Sequence, residues 1–264
     1  MSPPRRAGPP ALDAVLLDLD GVLTATAKIH ARAWKDTFDA LLAELAEAED
    51  APMVPFDIEV DYRSYVDGKP RYDGVRSFLA SRGIRVDEGR PGDPPGTPTV
   101  QGIGNRKNER FQELIAEEGV EVFEDVLLTV PRWREQGFRT AVVSSSKNCG
   151  PILRAAGLSH LFDAKVDGVD RERLGLPGKP APHMFLEAAR RLDVEPAHAA
   201  VVEDALAGVQ AARAGGFGWV VGIARTGPLE PLAAHGADQV VRRLDELEVI
   251  PRQGRAPEER PGLR

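Results

Sequence analysis

The sequence predicts an α/β protein: a doubly wound parallel sheet with a second, helical domain inserted after its first strand. Three observations lead there. Short apolar runs, "AVLLDLD", "RTAVVSSS", "AAVVEDA" and "WVVGIA", lack polar alternation and are rich in Val, Leu and Ile, the pattern of strands buried on both faces. Helical patterns separate the later runs ("NCGPILRAAG", "APHMFLEAARRLD", "ALAGVQAARAGG"), and strands alternating with helices give a parallel sheet. The stretch from Ala25 to Asn105 breaks that rhythm, with helical patterns ("IHARAWKDTFDALLAELAEAE", "YDGVRSFLASRG") and no convincing strand.

In chain order the expectation is as follows. Residues 1–10 form a Pro/Gly-rich, charged tail; 11–24 and 106–250 form the sheet domain; 25–105 form the helical insertion; and 251–264 form a second tail that frays in solvent. Within the insertion, "DEGRPGDPPGTPTVQGIG" reads as a loop too polar to pack as an element. There is no internal repeat.

Composition narrows the function. A chain of 264 residues, 42% hydrophobic and 28% charged, suits one sizeable core plus a smaller module. The net charge is −7 and the basic residues are scattered, so no nucleic-acid partner is expected. The single Cys149 cannot make an internal disulfide, which fits a reducing compartment. The N-terminal "MSPPRRAGPP" has no apolar run behind its arginines, and no later run approaches membrane-spanning length. The expectation is a cytoplasmic monomer without a membrane partner.

In a parallel α/β sheet, ligands bind beyond the carboxyl ends of the strands. Asp18 and Asp20 close the first apolar run, Ser144, Ser145 and Ser146 close the second, Lys179 lies in the loop "LPGKPAP", and Glu203 with Asp204 close "AAVV". Carboxylates, hydroxyls and one ammonium presented together are the inventory for phosphoryl transfer with a hard metal. Carboxylates and a backbone carbonyl suit Mg²⁺, which keeps some waters for the substrate to displace. The candidate metal set is Asp18, Asp20, Glu203 and Asp204, with Asp18 and Asp204 as side-chain ligands. Asp18 is placed to attack phosphorus, and Asp20, its side chain off the metal, to give or take the proton of the substrate oxygen. Ser144 and the N–H groups after it suit phosphate oxygens, and Lys179 suits the charge that builds in the transition state. Taken singly, each is ordinary: Asp-x-Asp after a strand is usually a turn or cap, a Ser triplet a capping loop, Glu-Asp an acidic first helical turn, and a lysine a surface charge. Their joint appearance, in this order, is what points to a site.

The stretches "LLDLDGVLT", "VVSSSKN", "GKPAP" and "VVEDALAGVQAARAGG" resemble the four motifs of the haloacid dehalogenase superfamily of aspartate-nucleophile phosphotransferases, over residues 12 to about 225. The resemblance implies a Rossmann-like core with a mobile helical cap after the first strand, Mg²⁺ dependence, Asp18 as nucleophile and Asp20 as general acid/base. Within the superfamily the chain is most similar to the β-phosphoglucomutase-like subfamily. "TATAKIHARAWK" resembles its first cap helix, which gives His30 the task of orienting the acid/base and Trp34 that of lining the sugar pocket. "VDGKPRYDGV" resembles the segment whose Arg, here Arg71, grips the phosphate far from the nucleophile, with Gly68 in the same stretch. "NRKNERF" offers Lys107 and Asn108 to the sugar phosphate, and "SSSKN" adds Ser145, Ser146, Lys147 and Asn148. Each cap residue has a plainer reading as well: His30 and Trp34 as packing neighbours on a helix, Arg71 and Lys107 as solvated charges.

Two departures from the family pattern stand out. Ala25 replaces the usual Asp between hinge threonines Thr24 and Thr26, and the cap is lengthened by "LLAELAEAEDAPMVPFDIEV" and by the loop near Pro91 to Pro98. The leading expectation is a sugar-phosphate isomerase working through a bisphosphate. A sugar-phosphate phosphatase on the same core is the alternative, and a catalytically silent binding module comes third.

Overall fold

The computed structural model describes residues 10–50, 52–66, 69–252 and 263. The chain divides into two compact units, one of residues 1–26 with 120–264 and the other of residues 27–119.

The first unit is built on a six-stranded, wholly parallel sheet. Its elements in chain order are β1 (Ala11–Leu12), β2 (Ala14–Leu17), α4 (Glu124–Glu135), β3 (Arg139–Val143), α5 (Cys149–Ala155), β4 (Ala164–Val166), α6 (Gly168–Leu174), α7 (His183–Arg191), β5 (Ala199–Glu203), α8 (Leu206–Ala214), β6 (Trp219–Ile223), α9 (Glu230–Ala234), β7 (Gln239–Val241) and β8 (Ile250–Pro251), with α1 to α3 lying in the other unit. The sheet order is β4-β3-β2-β5-β6-β7. The chain therefore winds outward from β2 through β3 and β4, then returns to the far side of β2 with β5, which makes the β2/β5 boundary the switch point where a crevice opens at the strand ends.

Both faces of the sheet are dry, as the non-alternating runs predict. Ala14, Leu16, Ala141, Val143, Ala199 and Val201 pack with Met184, Phe185 and Ala188 of α7 and Val209 and Ala212 of α8. The intervening Val15, Leu17, Val142 and Val202 are just as fully buried, as are Val126, Val130 and Trp133 of α4. Two sheet strands, β4 and β7, are too short to stand out in the sequence.

The C-terminal expectation needs correction. Ile250 and Pro251 pair in parallel with Ala11 and Leu12 as a separate two-stranded ribbon, and Arg252 bonds Leu12 O and Asp13. The backbone N–H of Leu263 donates to the carbonyls of Ser159 and Phe162. The chain past residue 250 thus begins as part of the fold, because strand pairing satisfies its backbone groups.

The second unit comprises α1 (Ala27–Glu49), a π-helix (Ile58–Val66), α2 (Arg71–Ser81) and α3 (Val100–Glu118). Its core gathers Trp34, Phe38, Leu41 and Leu42 of α1 with Phe56, Val66, Val75, Phe78, Leu79, Val100 and Ile103. Phe38 is the hub, its ring centroid 5.0 Å from Trp34, 5.2 Å from Phe56 and 4.1 Å from Phe78. Asp39 ties the acidic stretch down by accepting from Phe56 N (2.7 Å) and Lys35 (2.8 Å).

The expected cap limits, 25–105, are also corrected. Residues 25 and 26 fall with the sheet unit, where Ala25 N donates to Glu121 O at 2.9 Å. At the other end α3 is one uninterrupted helix: Thr99 caps it by accepting from Gly102 N, and Gly119, at φ 77°, ends it. "NRKNERF" is mid-helix, so residues 106–119 belong to the helical unit. The same helix absorbs the last residues of the expected polar loop. The rest of that loop is pinned, with Asn105 Nδ2 donating to the carbonyls of Pro91 (3.2 Å) and Asp93 (2.8 Å). Among the described residues no helix is long and apolar enough to cross a membrane.

Candidate active site

β2 and β5 run in register, Leu17 opposite Val202, and Asp18 N donates to Val202 O at 3.0 Å. Asp18 and Glu203 consequently leave adjacent strands side by side, fixed by backbone before any side chain is chosen. Lys179 joins them: its ammonium donates to Asp18 Oδ1 and Glu203 Oε1, reaches Val143 O at 3.3 Å, and lies 4.9 Å from the Phe185 ring centroid. Glu203 Oε2 accepts from Ala205 N at 3.1 Å.

The electrostatics follow from crowding. Burial disfavours charge on Lys179, but Asp18 and Glu203 outweigh it and hold the ammonium above its ordinary pKa. Burial, aided by Asp18 and opposed by Lys179, lifts Glu203 to about 7. Although Asp204 keeps solvent access, protein packed round its carboxyl, with Glu203 and Asp18 beside it, pushes it well above the usual carboxylate range.

Asp20 occupies a tight turn. Leu23 N and Thr24 N donate to Leu19 O, and Gly21, at φ 80°, donates to Thr24 O. A Cβ on Gly21 would stand 1.9 Å from Asp204 Oδ2, so glycine here serves both the left-handed backbone and the approach of Asp204. Thr26 Oγ1 donates to Asp20 Oδ1 and Thr24 Oγ1 to Leu19 O (3.3 Å). Both hinge threonines thus find partners with Ala25 between them.

The serine loop after β3 is built from its own side chains. Ser144 is buried, and its Oγ accepts from Ser146 N at 3.1 Å, while Ser146 Oγ accepts from Asn148 N at 3.1 Å. Asn148 is buried at the start of α5; Ser145 is exposed. Lys147 is drawn to the surface, where it pairs with Glu172 at 2.6 Å.

The helical unit gathers its own predicted residues. Lys107 of α3 is buried, donates to His30 Nδ1 at 2.7 Å, and lies 5.2 Å and 4.7 Å from the ring centroids of Trp34 and Phe111. His30 stacks on Phe111 at 4.1 Å. Burial, then Lys107 and Arg71, lower the His30 pKa well below its ordinary value, so the ring is neutral, with Nδ1 accepting and Nε2 carrying the proton. Arg71 opens α2 and donates from Nη2 to Asn108 Oδ1 at 2.7 Å. Gly68 lies outside the described residues.

The sequence reading missed two glycines. A Cβ on Gly208 would sit 1.9 Å from the Glu203 carboxyl, and one on Gly168 would sit 2.6 Å from Ser145 O. Gly208 lets α8 approach Glu203, and Gly168 lets α6 approach the serine loop. Gly208 did carry a signal, since a glycine inside a helix costs about 1 kcal/mol relative to Ala and needs a packing reason.

The donor set can be tested against a divalent cation. Asp18, Asp20, Glu203 and Asp204 offer hard oxygens, and burial first, then repulsion from neighbouring carboxylates, offset in part by one ammonium, raises Glu203 and Asp204. Surplus negative charge of this kind fits a dication in chemistry and charge. Among the described residues, however, no group of three or more His, Cys, Asp or Glu is drawn to ligand distances. Lys179 stands between Asp18 and Glu203 instead.

A parallel sheet whose central strand ends in Asp-x-Asp, with a lysine bridging to the next strand's acid, offers the donor set that phosphoryl transfer uses. A family model for haloacid dehalogenase-like hydrolases matches residues 12–216. The β-phosphoglucomutase of Mycobacterium bovis is 50% identical over 242 residues, 90% of this chain and 92% of the relative. That of Bacillus subtilis is 33% identical over 240 residues, 89% of this chain and 92% of the relative. Among solved structures, a CbbY mutant from Rhodobacter sphaeroides in complex with xylulose-(1,5)bisphosphate aligns with a TM-score of 0.65 at 26% identity, covering 89% of this chain and 96% of that one. The chain belongs to the haloacid dehalogenase family, as an enzyme of its phosphoglucomutase-type branch. Members of this family generally work with a divalent metal.

Proposed function

We propose that this enzyme is a Mg²⁺-dependent β-phosphoglucomutase, interconverting β-glucose 1-phosphate and glucose 6-phosphate through the 1,6-bisphosphate. The observation that carries the reading is the Asp18–Lys179–Glu203 arrangement at the β2/β5 switch point; the M. bovis relative supports the choice of substrate.

In the first half-reaction, Asp18 carries a phosphoryl group as an acyl phosphate. The sugar O6 attacks phosphorus, the bond to Asp18 breaks, and Asp20 accepts the O6 proton. In the second, the bisphosphate presents its other end, Asp18 attacks that phosphorus, the P–O1 bond breaks, and Asp20 returns the proton to O1 as glucose 6-phosphate forms. Lys179, in contact with Asp18, steadies the equatorial oxygens, while Ser144 and the N–H groups of its loop hold phosphate. Asp18, Asp204 and a backbone carbonyl would hold Mg²⁺, which when bound neutralises phosphoryl charge. In the helical unit, Arg71 and Asn108 are assigned to the second phosphate, Lys107 and Trp34 to the sugar. Neutral His30, with its Nε2 proton, is assigned to orienting Asp20. Ser145, Ser146 and Asn148 have lesser recognition roles. Lys147, already paired with Glu172, is the weakest of the assigned groups. The reading takes the enzyme as a cytoplasmic monomer acting on a small sugar phosphate, with no nucleic-acid or membrane partner.

The test follows glucose 6-phosphate and inorganic phosphate together, with Mg²⁺, β-glucose 1-phosphate and a trace of the bisphosphate. Accumulation of glucose 6-phosphate with little free phosphate, lost in Arg71→Ala, is the expected result. Free phosphate at a comparable or faster rate would establish a sugar-phosphate phosphatase instead.

A further inference from the structure

The turn that carries Asp20 is gripped from two directions. Asp204 lies against Gly21, as described above. From another direction, Arg225 donates from Nη2 to the Val22 carbonyl at 2.6 Å. Val22 is two residues past Asp20, and its side chain is completely buried.

Arg225 is itself fixed. It lies two residues past the end of β6, and its Nη1 donates to Asp125 Oδ2 at 2.6 Å. Asp125, 1% exposed on the first turn of α4, also accepts from Leu244 N. The guanidinium carbon lies 4.0 Å from the Phe123 ring centroid, and Phe123 N donates to Leu23 O at 3.2 Å. Thr24 pairs with Val122, and Ala25 N with Glu121 O, on the same stretch. One cation therefore joins the end of β6, the start of α4 and the turn behind the proton-shuttling carboxyl.

A device meant for stability alone would look different. Buried ion pairs are poor stabilisers compared with apolar packing of the same volume, and the Nε of Arg225 is buried without a hydrogen-bond partner. The imperfectly satisfied guanidinium is retained where its planar fork reaches Val22 O and Asp125 at once, which a lysine ammonium cannot reproduce.

We propose that Arg225 is a positioning residue, whose guanidinium holds the Val22 carbonyl and thereby sets the reach of Asp20 as general acid and base. The proposal rests on the reading of Asp20 as the proton shuttle, and it is independent of which sugar is used.

Leaving-group dependence tests it. A sugar alkoxide cannot leave without a proton, whereas p-nitrophenolate can. Arg225→Lys, which keeps the charge, should lower kcat with sugar phosphate by about 30-fold, the scale of a misplaced general acid, with KM changed less than about threefold. Its single-turnover rate of p-nitrophenol release from p-nitrophenyl phosphate, which forms the acyl phosphate once and needs no proton from Asp20, should fall by less than about threefold, relative to wild type. In Arg225→Ala, added guanidinium should restore part of the sugar-phosphate rate. Equal losses on both substrates, or no loss on either, would overturn the proposal by leaving Arg225 a structural role or none. If Arg225→Ala does not fold, the Lys variant decides alone. If wild type releases phosphate from the sugar instead of isomerising it, the mutase reading falls, and the Arg225 comparison runs unchanged on phosphate release.

Discussion

The sheet unit and the helical unit hold charge in opposite ways. At the strand ends, Asp18, Glu203 and Asp204 crowd round one ammonium, with Asp18 and Glu203 placed by the register of two adjacent strands. In the helical unit, the charge of Lys107 rests among aromatic faces and a neutral histidine, on side chains projecting from two separate helices. Backbone register leaves little freedom, which suits the proposed role of Asp18 as a nucleophile on phosphorus. Helix-borne side chains are adjusted one at a time, which suits recognition.

Lys179→Met should break the sheet-unit side of that contrast most severely. It leaves buried Asp18 and Glu203 without their cation, a loss on the order of 3–5 kcal/mol in stability by chemical denaturation. Added Mg²⁺ should return part of it, shown as a larger rise in Tm for the variant than for wild type. A variant as stable as wild type without the metal would mean the carboxylates are compensated elsewhere.

For the helical unit the corresponding change is Phe38→Ala, which removes the ring at the centre of its aromatic cluster. A cost of roughly 3–4 kcal/mol is expected from the lost contacts and the cavity. Hydrogen exchange should quicken across residues 27–119 while β2, β3 and β5 keep their protection. Uniform loss in both units would show that they share one cooperative core.

The smallest effect concerns the surface behind the serine loop. Burial raises the Asp170 carboxyl, but Arg191 and Arg173 outweigh it and hold its pKa at about 2; Arg190 and Arg191, against burial, hold Glu187 at about 2. A pKa below the unfolded value of about 4 means stability that is full above pH 4 and lost as pH falls through 2. Solvent screening reduces the Asp170 share to about 1 kcal/mol. Asp170→Asn should therefore be less stable than wild type at pH 6, with the gap closing by about pH 2 in denaturant titrations. A gap independent of pH would assign the loss to hydrogen bonding rather than charge.

Much of the candidate site was legible because one topological rule makes strand ends the places where ligands bind. "AVLLDLD", "RTAVVSSS" and "AAVVEDA" announced Asp18, Asp20, Ser144, Glu203 and Asp204, all of which stand at the ends of β2, β3 and β5. β4 and β7, three residues each, carried too little pattern to separate from loop. "NRKNERF" was misplaced because resemblance to a motif says nothing about where a helix stops, and α3 runs on to Glu118.

By itself the sequence determined the parallel sheet, the helical insertion and the acids, hydroxyls and lysine of the candidate site, since hydrophobic period and motif order are local properties. Tertiary structure alone decided that Lys179 lies between Asp18 and Glu203, that Gly208 and Gly168 clear space for Glu203 and the serine loop, that Lys147 turns to Glu172, and that Arg225 reaches the turn behind Asp20. Each depends on close approach between segments far apart in the chain, and a contact distance of that kind leaves no periodic trace in the residues that make it.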